Sequence, residues 1–237
     1  LACGAVILGG IALVLVARSV DVPAAWEVLQ SADPGWVALM VAFILGDIAL
    51  RAVRWRVLLA PVAAIPFGVV LSSLLVGYLA NNVLPARLGE LVRAHDLGDR
   101  TGLSRSTILG TIVIERVVDT MVVVTIAAVA ILVLSVRGIV ASAVLAGFAL
   151  SALLVVAVAA GIYAHRLPGA DRVQAFLGRW PRVRAALTRL RTGLAVAGDA
   201  RAVTAAVVIS IATWSLTVLA FAAAAQAVDV EPTMGQA

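Results

Sequence analysis

Apolar residues run along this chain in blocks too long for the interior of a soluble domain. Five of them, Leu1–Ala17, Trp36–Trp55, Ile108–Leu134, Ile139–Tyr163 and Ala202–Ala225, read as membrane spans. Gly138–Tyr163 carries no charge at all, and Val117–Leu134 is broken only by Asp119 and a few threonines. About 20 consecutive apolar residues cross the hydrocarbon layer as a helix, whereas a barrel strand needs only about 10 alternating ones. The pattern therefore predicts an all-α fold, a polytopic transmembrane helical bundle.

Between the second and third of these spans lies Val57–Pro85, an apolar stretch interrupted by Pro61, Pro66, Asn81, Asn82 and Pro85. Arginine distribution decides how it should be placed, because cytoplasmic loops carry the excess of basic residues. Arg18–Gly35 holds one arginine against Asp21, Glu27 and Asp33 and reads as outside. Arg51, Arg54 and Arg56 mark the inner end of the second span, Arg87–Arg105 adds four arginines, and His165–Arg201 adds eight. A single crossing by Val57–Pro85 would put the eight-arginine loop outside. A dip and return leaves every arginine-rich segment cytoplasmic, so the sequence predicts a re-entrant helical hairpin over 67–84, shielded by protein or by a polar cavity.

Within the basic loop 165–201, Val183, Leu187, Leu190 and Leu194 recur at helical spacing, with Arg182, Arg184, Arg189 and Arg191 on other faces. This is the pattern of an amphipathic helix lying at the interface on anionic lipid. Trp26, Trp36, Trp55 and Trp180 fall where interfacial anchors are expected, and Trp214 falls inside the last span as a packing residue.

Composition sharpens this picture. Of 237 residues, 63% are hydrophobic and 13% charged, and all 18 basic residues are arginines, giving a net charge of +5. In a soluble chain such basicity would suggest nucleic acid; here the arginines sit between apolar spans, where they meet lipid phosphate and set orientation, so no nucleic-acid partner is expected. The single cysteine, Cys3, permits no intrachain disulfide, and His95 and His165 lack a metal-ligand pattern. No cofactor is expected, and no Gly-x-x-x-x-Gly-Lys motif points to direct use of ATP. The chain opens inside an apolar run without an initiator methionine, and we read it as a fragment of a longer protein.

Charged side chains at membrane depth cost several kcal/mol unless paired or hydrated, and by default they mark a site. Three clusters qualify. In the second span, Asp47 lies about 16 Å below Trp36 at 1.5 Å per residue, near the middle of a layer about 30 Å thick. Arg51, four residues on, shares its face. The pair is either a neutralised couple with Arg54 and Arg56 snorkelling outward, or a site at which Arg51 or Arg54 receives a phosphate while Asp47 orients it.

The second cluster runs from Asn81 to Arg93. Pro85 opens the backbone there, Asn81 and Asn82 can satisfy the freed groups or bind a ligand, and a helix from Arg87 would place Arg87, Glu90 and Arg93 on adjoining turns. Arginine forks hold phosphate through two parallel hydrogen bonds, which makes Arg87 and Arg93 head-group ligands in one reading and parts of a salt-bridged surface helix in the other. In the third cluster Thr111, Glu115 and Asp119 share one face at the start of a span, with Arg116 beside them. Two carboxylates could act as acid and base, yet no nucleophile, histidine partner or metal pattern accompanies them, so a polar lining for transport fits better.

The same three clusters carry a family resemblance. Arg51-Ala-Val-Arg54-Trp55-Arg-Val-Leu58-Leu59, Asn82-Val-Leu84-Pro85-Ala-Arg87-Leu-Gly89-Glu90-Leu-Val-Arg93 and Glu115-Arg116-Val-Val-Asp119 resemble, in order and spacing, motifs of the lysylphosphatidylglycerol synthase transmembrane-region family, a flippase-like membrane domain. Outside Arg51–Asp119 the likeness is one of hydropathy. The family's later glycine-rich stretch ending in glutamate and the aminoacyl-transferring domain of its fused members are not in this sequence, so lysyl transfer is not implied.

The resemblance implies movement of lipid between leaflets, or service to an enzyme that modifies such lipids. The expected protein is thus a multi-pass cell-membrane protein handling a phospholipid or lipid-linked substrate, with a lipid-modifying enzyme as a candidate partner. Arg51, Arg54, Arg87, Arg93 and Arg116 are its head-group ligands, and Asp47, Asn81, Asn82, Glu90, Glu115 and Asp119 its polar path. The competing expectation is a membrane enzyme or enzyme subunit acting on a lipid-linked phosphate.

Overall fold

The computed structural model describes residues 22–83, 88–134, 138–163 and 180–228, and these are helical almost throughout, with no strand among them. In chain order the helices are α1 (Val22–Ser31), α2 (Pro34–Leu59), α3 (Phe67–Val83), α4 (Gly89–Thr101), α5 (Arg105–Leu134), α6 (Ile139–Tyr163), α7 (Pro181–Leu194) and α8 (Ala200–Ala227), with a 3-10 turn at Ala195–Gly198 before α8. The expected span 1–17, the loop residues 164–179 and Arg87 lie outside the described residues.

Helix starts follow local chemistry. Asp33 caps α2, its Oδ1 accepting from the backbone N–H groups of Gly35 at 2.7 Å and Trp36 at 3.1 Å, with Pro34 preset for the first turn. Asp199 caps α8 the same way, accepting from Arg201 and Ala202 at 3.0 and 3.1 Å. Asp33→Ala is expected to cost about 1 kcal/mol of stability, read as a lowered midpoint in denaturant unfolding of the reconstituted protein, while Asp33→Ser should largely retain it.

Three helices, Pro34–Leu59, Arg105–Val133 and Ala200–Ala227, are each long and apolar enough to cross a membrane. Their apolar side chains point mostly outward, as at Leu45, Leu132, Val208 and Phe221, all more than half exposed, while Arg54, Ser73, Thr111, Glu115, Ser210 and Thr213 are buried. In water that arrangement would expose far more contiguous apolar surface than a soluble protein tolerates. Lipid reverses the balance, because the bilayer accepts the apolar exterior and only the interior can satisfy polar groups.

Of the three, α2 runs antiparallel to α5 and α8. Asp33 donates its backbone N–H to the Ala227 carbonyl at 2.9 Å at one end of the α2–α8 pair, Gly46 faces Leu216 midway, and Val57 and Ala60 lie beside Asp199 and Arg201 at the other end. α5 packs with its N-terminal half against the C-terminal third of α2. Arg56 Nε donates to the Ile65 carbonyl at 3.1 Å, so α3 starts at the end where α2 stops. Arg56, Arg100, Arg105 and Arg201 therefore gather at one end of the bundle.

The hairpin differs from its expectation in a specific way. Phe67–Val83 is one uninterrupted helix rather than two short limbs, and the limb that turns back is α4. Contacts of Asn81 with Gly89, Gly77 with Arg93, Ser73 with Asp96 and Ser72 with Arg100 fix α3 and α4 as an antiparallel pair that begins and ends at the arginine-rich end. Asn81 and Asn82, read as interruptions of the apolar stretch, instead form the last turn of α3. Two further differences appear: residues 22–31, expected within an outer loop, form α1, and Trp55, expected at the interface, is fully buried among Leu59, Ile65, Val70, Leu74 and Leu97.

Candidate functional site

Arg54 stands one and a half turns before the end of α2 and has no exposed surface. An unpaired guanidinium there would be prohibitive, and two helices, α5 and α8, supply its partners. Nη1 donates to Asp119 Oδ1 at 2.6 Å and to Ser210 Oγ at 2.7 Å, and Nη2 donates to Glu115 Oε1 at 3.0 Å. Glu115 and Asp119, four apart on α5, present both carboxylates to one face, as helical spacing requires. Counting from Arg105 at 1.5 Å per residue puts Glu115 about 15 Å inside the end of α5.

Glu115 also binds a second buried arginine from the hairpin. Arg93 Nη2 donates to Glu115 Oε2 at 2.7 Å, and its guanidinium lies 4.6 Å from the centroid of the Trp55 ring. A cation over an indole face in a desolvated site is attracted by the ring quadrupole. Arg93 reaches this position because α4 approaches α3 closely: a Cβ on Gly89 would sit 2.2 Å from the Gly77 carbonyl oxygen and 2.5 Å from the Asn81 side chain. Asn81 Oδ1 in turn accepts the backbone N–H of Gly89 at 2.7 Å, satisfying a donor at the open start of α4.

Arg116 completes the group from outside. Nη2 donates to Glu115 Oε1 at 3.0 Å, Nη1 lies 3.9 Å from Asp119 Oδ2, and 44% of the side chain remains exposed. Trp214 of α8 donates Nε1–H to Asp119 Oδ1 at 3.2 Å. Three guanidinium groups thus face two carboxylates, leaving one formal positive charge in excess, and the exposed edge of the cluster is arginine. Glu90, in the first turn of α4, adds its field at Arg116. Both oxygens of Glu115 are engaged by arginine N–H groups, which suits charge balancing better than general-base chemistry. The Nε groups of Arg54 and Arg93 are buried without a hydrogen-bond acceptor.

Asp47 and Arg51 form a separate pair. Arg51 Nε donates to Asp47 Oδ2 at 2.7 Å, as expected for residues four apart, and both line a cavity of about 320 Å³ between α2 and α8 with Phe43, Ile44, Thr217 and Phe221. Asp47 Oδ1 is buried there without a donor.

The structure therefore brings Arg54, Arg93, Glu115, Arg116 and Asp119 into one network and leaves Asp47 and Arg51 as neighbours in a second. Arg93 pairs with Glu115 rather than with Glu90 on its own helix. Asn81 holds the hairpin, Asn82 is exposed, and Glu90 is half-buried. Sequence reading missed Ser210 and the polar role of Trp214, although their spacing of four on the face that also carries Thr213 was an available signal. It also missed Thr111 as the neighbour of the Trp55 indole, whose Nε1 lies 3.4 Å from Thr111 Oγ1.

A family model described as the lysylphosphatidylglycerol synthase TM region matches residues 2–237. No curated protein and no solved structure matches the chain.

Proposed function

The chain belongs to the lysylphosphatidylglycerol synthase TM region family, and from that membership and the buried ionic network we propose that it moves phospholipid or lipid-linked head groups between bilayer leaflets. The observation that carries this reading is the arginine excess at membrane depth, three guanidinium groups on Glu115 and Asp119, open to the outside through Arg116. A phosphodiester arriving at Arg116 offers the same acceptor geometry as a carboxylate and can take over guanidinium N–H bonds now spent on Glu115. The exchange keeps the buried charges compensated throughout, which a single unpaired cation could not do.

In this mechanism Arg116 and Arg93 receive the phosphate, Arg54 fixes the two carboxylates, and Arg87 and Arg51 extend the head-group surface. Asp47, Asn81, Asn82, Glu90, Glu115 and Asp119 form the polar path, while acyl chains stay in lipid beside the outward apolar faces of α2, α5 and α8. The gathering of Arg56, Arg100, Arg105 and Arg201 at one end supports a cytoplasmic placement of that end in the cell membrane.

The test is leaflet exchange of fluorescent phospholipids in proteoliposomes of the natural full-length protein, scored by quenching of outer-leaflet label. Wild type should accelerate exchange, and Arg116→Ala should slow it at least about 10-fold by removing one charge-assisted contact worth roughly 1.5–3 kcal/mol. Unchanged exchange in Arg116→Ala would reject the site. No exchange by folded wild type with any head group would favour an enzyme subunit acting on a lipid-linked phosphate.

A further inference from the structure

Helix α7 has two halves with different surroundings. Its last turn is locked to α5: a Cβ on Gly193 would sit 2.0 Å from the Thr107 carbonyl oxygen, and Leu194 is buried against Leu58, Ile114 and Val118. Every residue from Trp180 to Arg189 is exposed. The apolar stripe that ends in Leu194 nevertheless continues into that exposed half through Val183 and Leu187, which are 46% and 39% exposed.

At 3.6 residues per turn, Arg182 and Arg189 flank one edge of the stripe and Arg184 and Arg191 the other. Residues 181–194 contain no carboxylate. The helix is pinned to the first two turns of a spanning helix, at Thr107 and Gly110, so the exposed half lies at the level where that helix leaves the bilayer. Trp180, 60% exposed, stands at its outer end, and its amphipathic ring suits that level.

We propose that α7 is an anionic-lipid-binding arm, with Val183 and Leu187 entering the acyl boundary and Arg182, Arg184 and Arg189 on lipid phosphates. The charge pattern selects the occupant: an apolar stripe edged on both sides by guanidinium groups matches a leaflet with negative head groups. The arm is attached to α5 two turns before Glu115, so lipid seated on it is held beside the ionic network. The inference does not depend on translocation and holds for any activity of the bundle.

Spin labels placed through Val183→Cys or Thr188→Cys, in a Cys3→Ser background of the natural full-length protein, test it in nanodiscs. The discs contain phosphatidylcholine alone or an equimolar mixture with phosphatidylglycerol. In mixed discs the Val183 position should be reached by oxygen and shielded from a water-soluble nickel complex, while the Thr188 position stays open to nickel. Adding Arg182→Gln and Arg189→Gln should shift the Val183 position toward water by roughly 30-fold in the bound-to-free ratio, two arginines at about fivefold each. High nickel access at the Val183 position in both discs would overturn the proposal by leaving the arm in water. Equal shielding in both discs would overturn its charge selectivity, and equal shielding in detergent as well would show that protein covers this face.

Discussion

Arg54→Ala is expected to destabilise the bundle by about 3–5 kcal/mol, because it leaves Glu115 and Asp119 buried with one cation fewer between them. Arg54 alone joins α2 to both carboxylates of α5 and to Ser210 of α8. Its removal strands charges in a site buried from solvent. The loss should appear as a large fall in the midpoint of detergent-induced unfolding, followed by circular dichroism. Arg54→Ala combined with Asp119→Asn should recover part of the loss, since the second substitution removes one stranded charge; the coupling between them should be in the range of about 0.5–3 kcal/mol. A cost below about 1 kcal/mol for Arg54→Ala would mean that the network is hydrated and that Arg54 behaves as a surface ion pair does.

Gly89→Val should act on the same network from a distance. The new Cβ would meet a helix carbonyl oxygen at 2.2 Å, which cannot rotate away as a flexible side chain could, so α4 must lift from α3. Arg93, one turn along, then leaves Glu115 and the Trp55 ring. Overpacking alone costs about 1–3 kcal/mol, and loss of a buried ion pair adds to it. The geometric readout is a disulfide between Ser73→Cys and Asp96→Cys, whose native side chains are hydrogen-bonded at 2.6 Å. The cross-link should form readily in the parent and poorly with Gly89→Val. Unimpaired cross-linking would show that the hairpin absorbs the extra atoms, and that Gly89 is not what lets Arg93 reach the network.

Much of the helix layout was legible because long apolar blocks announce themselves by length and hydropathy alone. Pro34–Leu59, Arg105–Leu134, Ile139–Tyr163 and Ala200–Ala227 fall within a few residues of the expected blocks. The candidate cluster was legible because charge at membrane depth is rare, so Arg54, Glu115 and Asp119 stood out on cost alone. Their pairing was not. Nothing local tells that Arg93 turns from Glu90 toward a carboxylate on another helix, because that choice depends on how closely Gly77 and Gly89 let two helices approach. Trp55 misled for a related reason: position in the chain suggested the interface, whereas the hairpin folds over that end of α2 and encloses the ring. Ser210 was hidden because a serine in an apolar helix ordinarily bonds its own backbone, and its engagement by Arg54 is a tertiary event.

The network also has a timetable. Its members are spread so widely along the chain that Arg54 emerges from the ribosome 61 residues before Glu115 and 156 before Ser210. At about 5–20 residues per second, the wait for the first carboxylate is roughly 3–12 s and the wait for Ser210 roughly 8–30 s. Until then α2 carries a guanidinium with no internal partner, and a long side chain near a helix end answers that by reaching for the head groups. Helix α2 therefore settles at its final depth only after α5 arrives, and the bundle closes around Arg54 only when α8, among the described helices the last to be made, is in place.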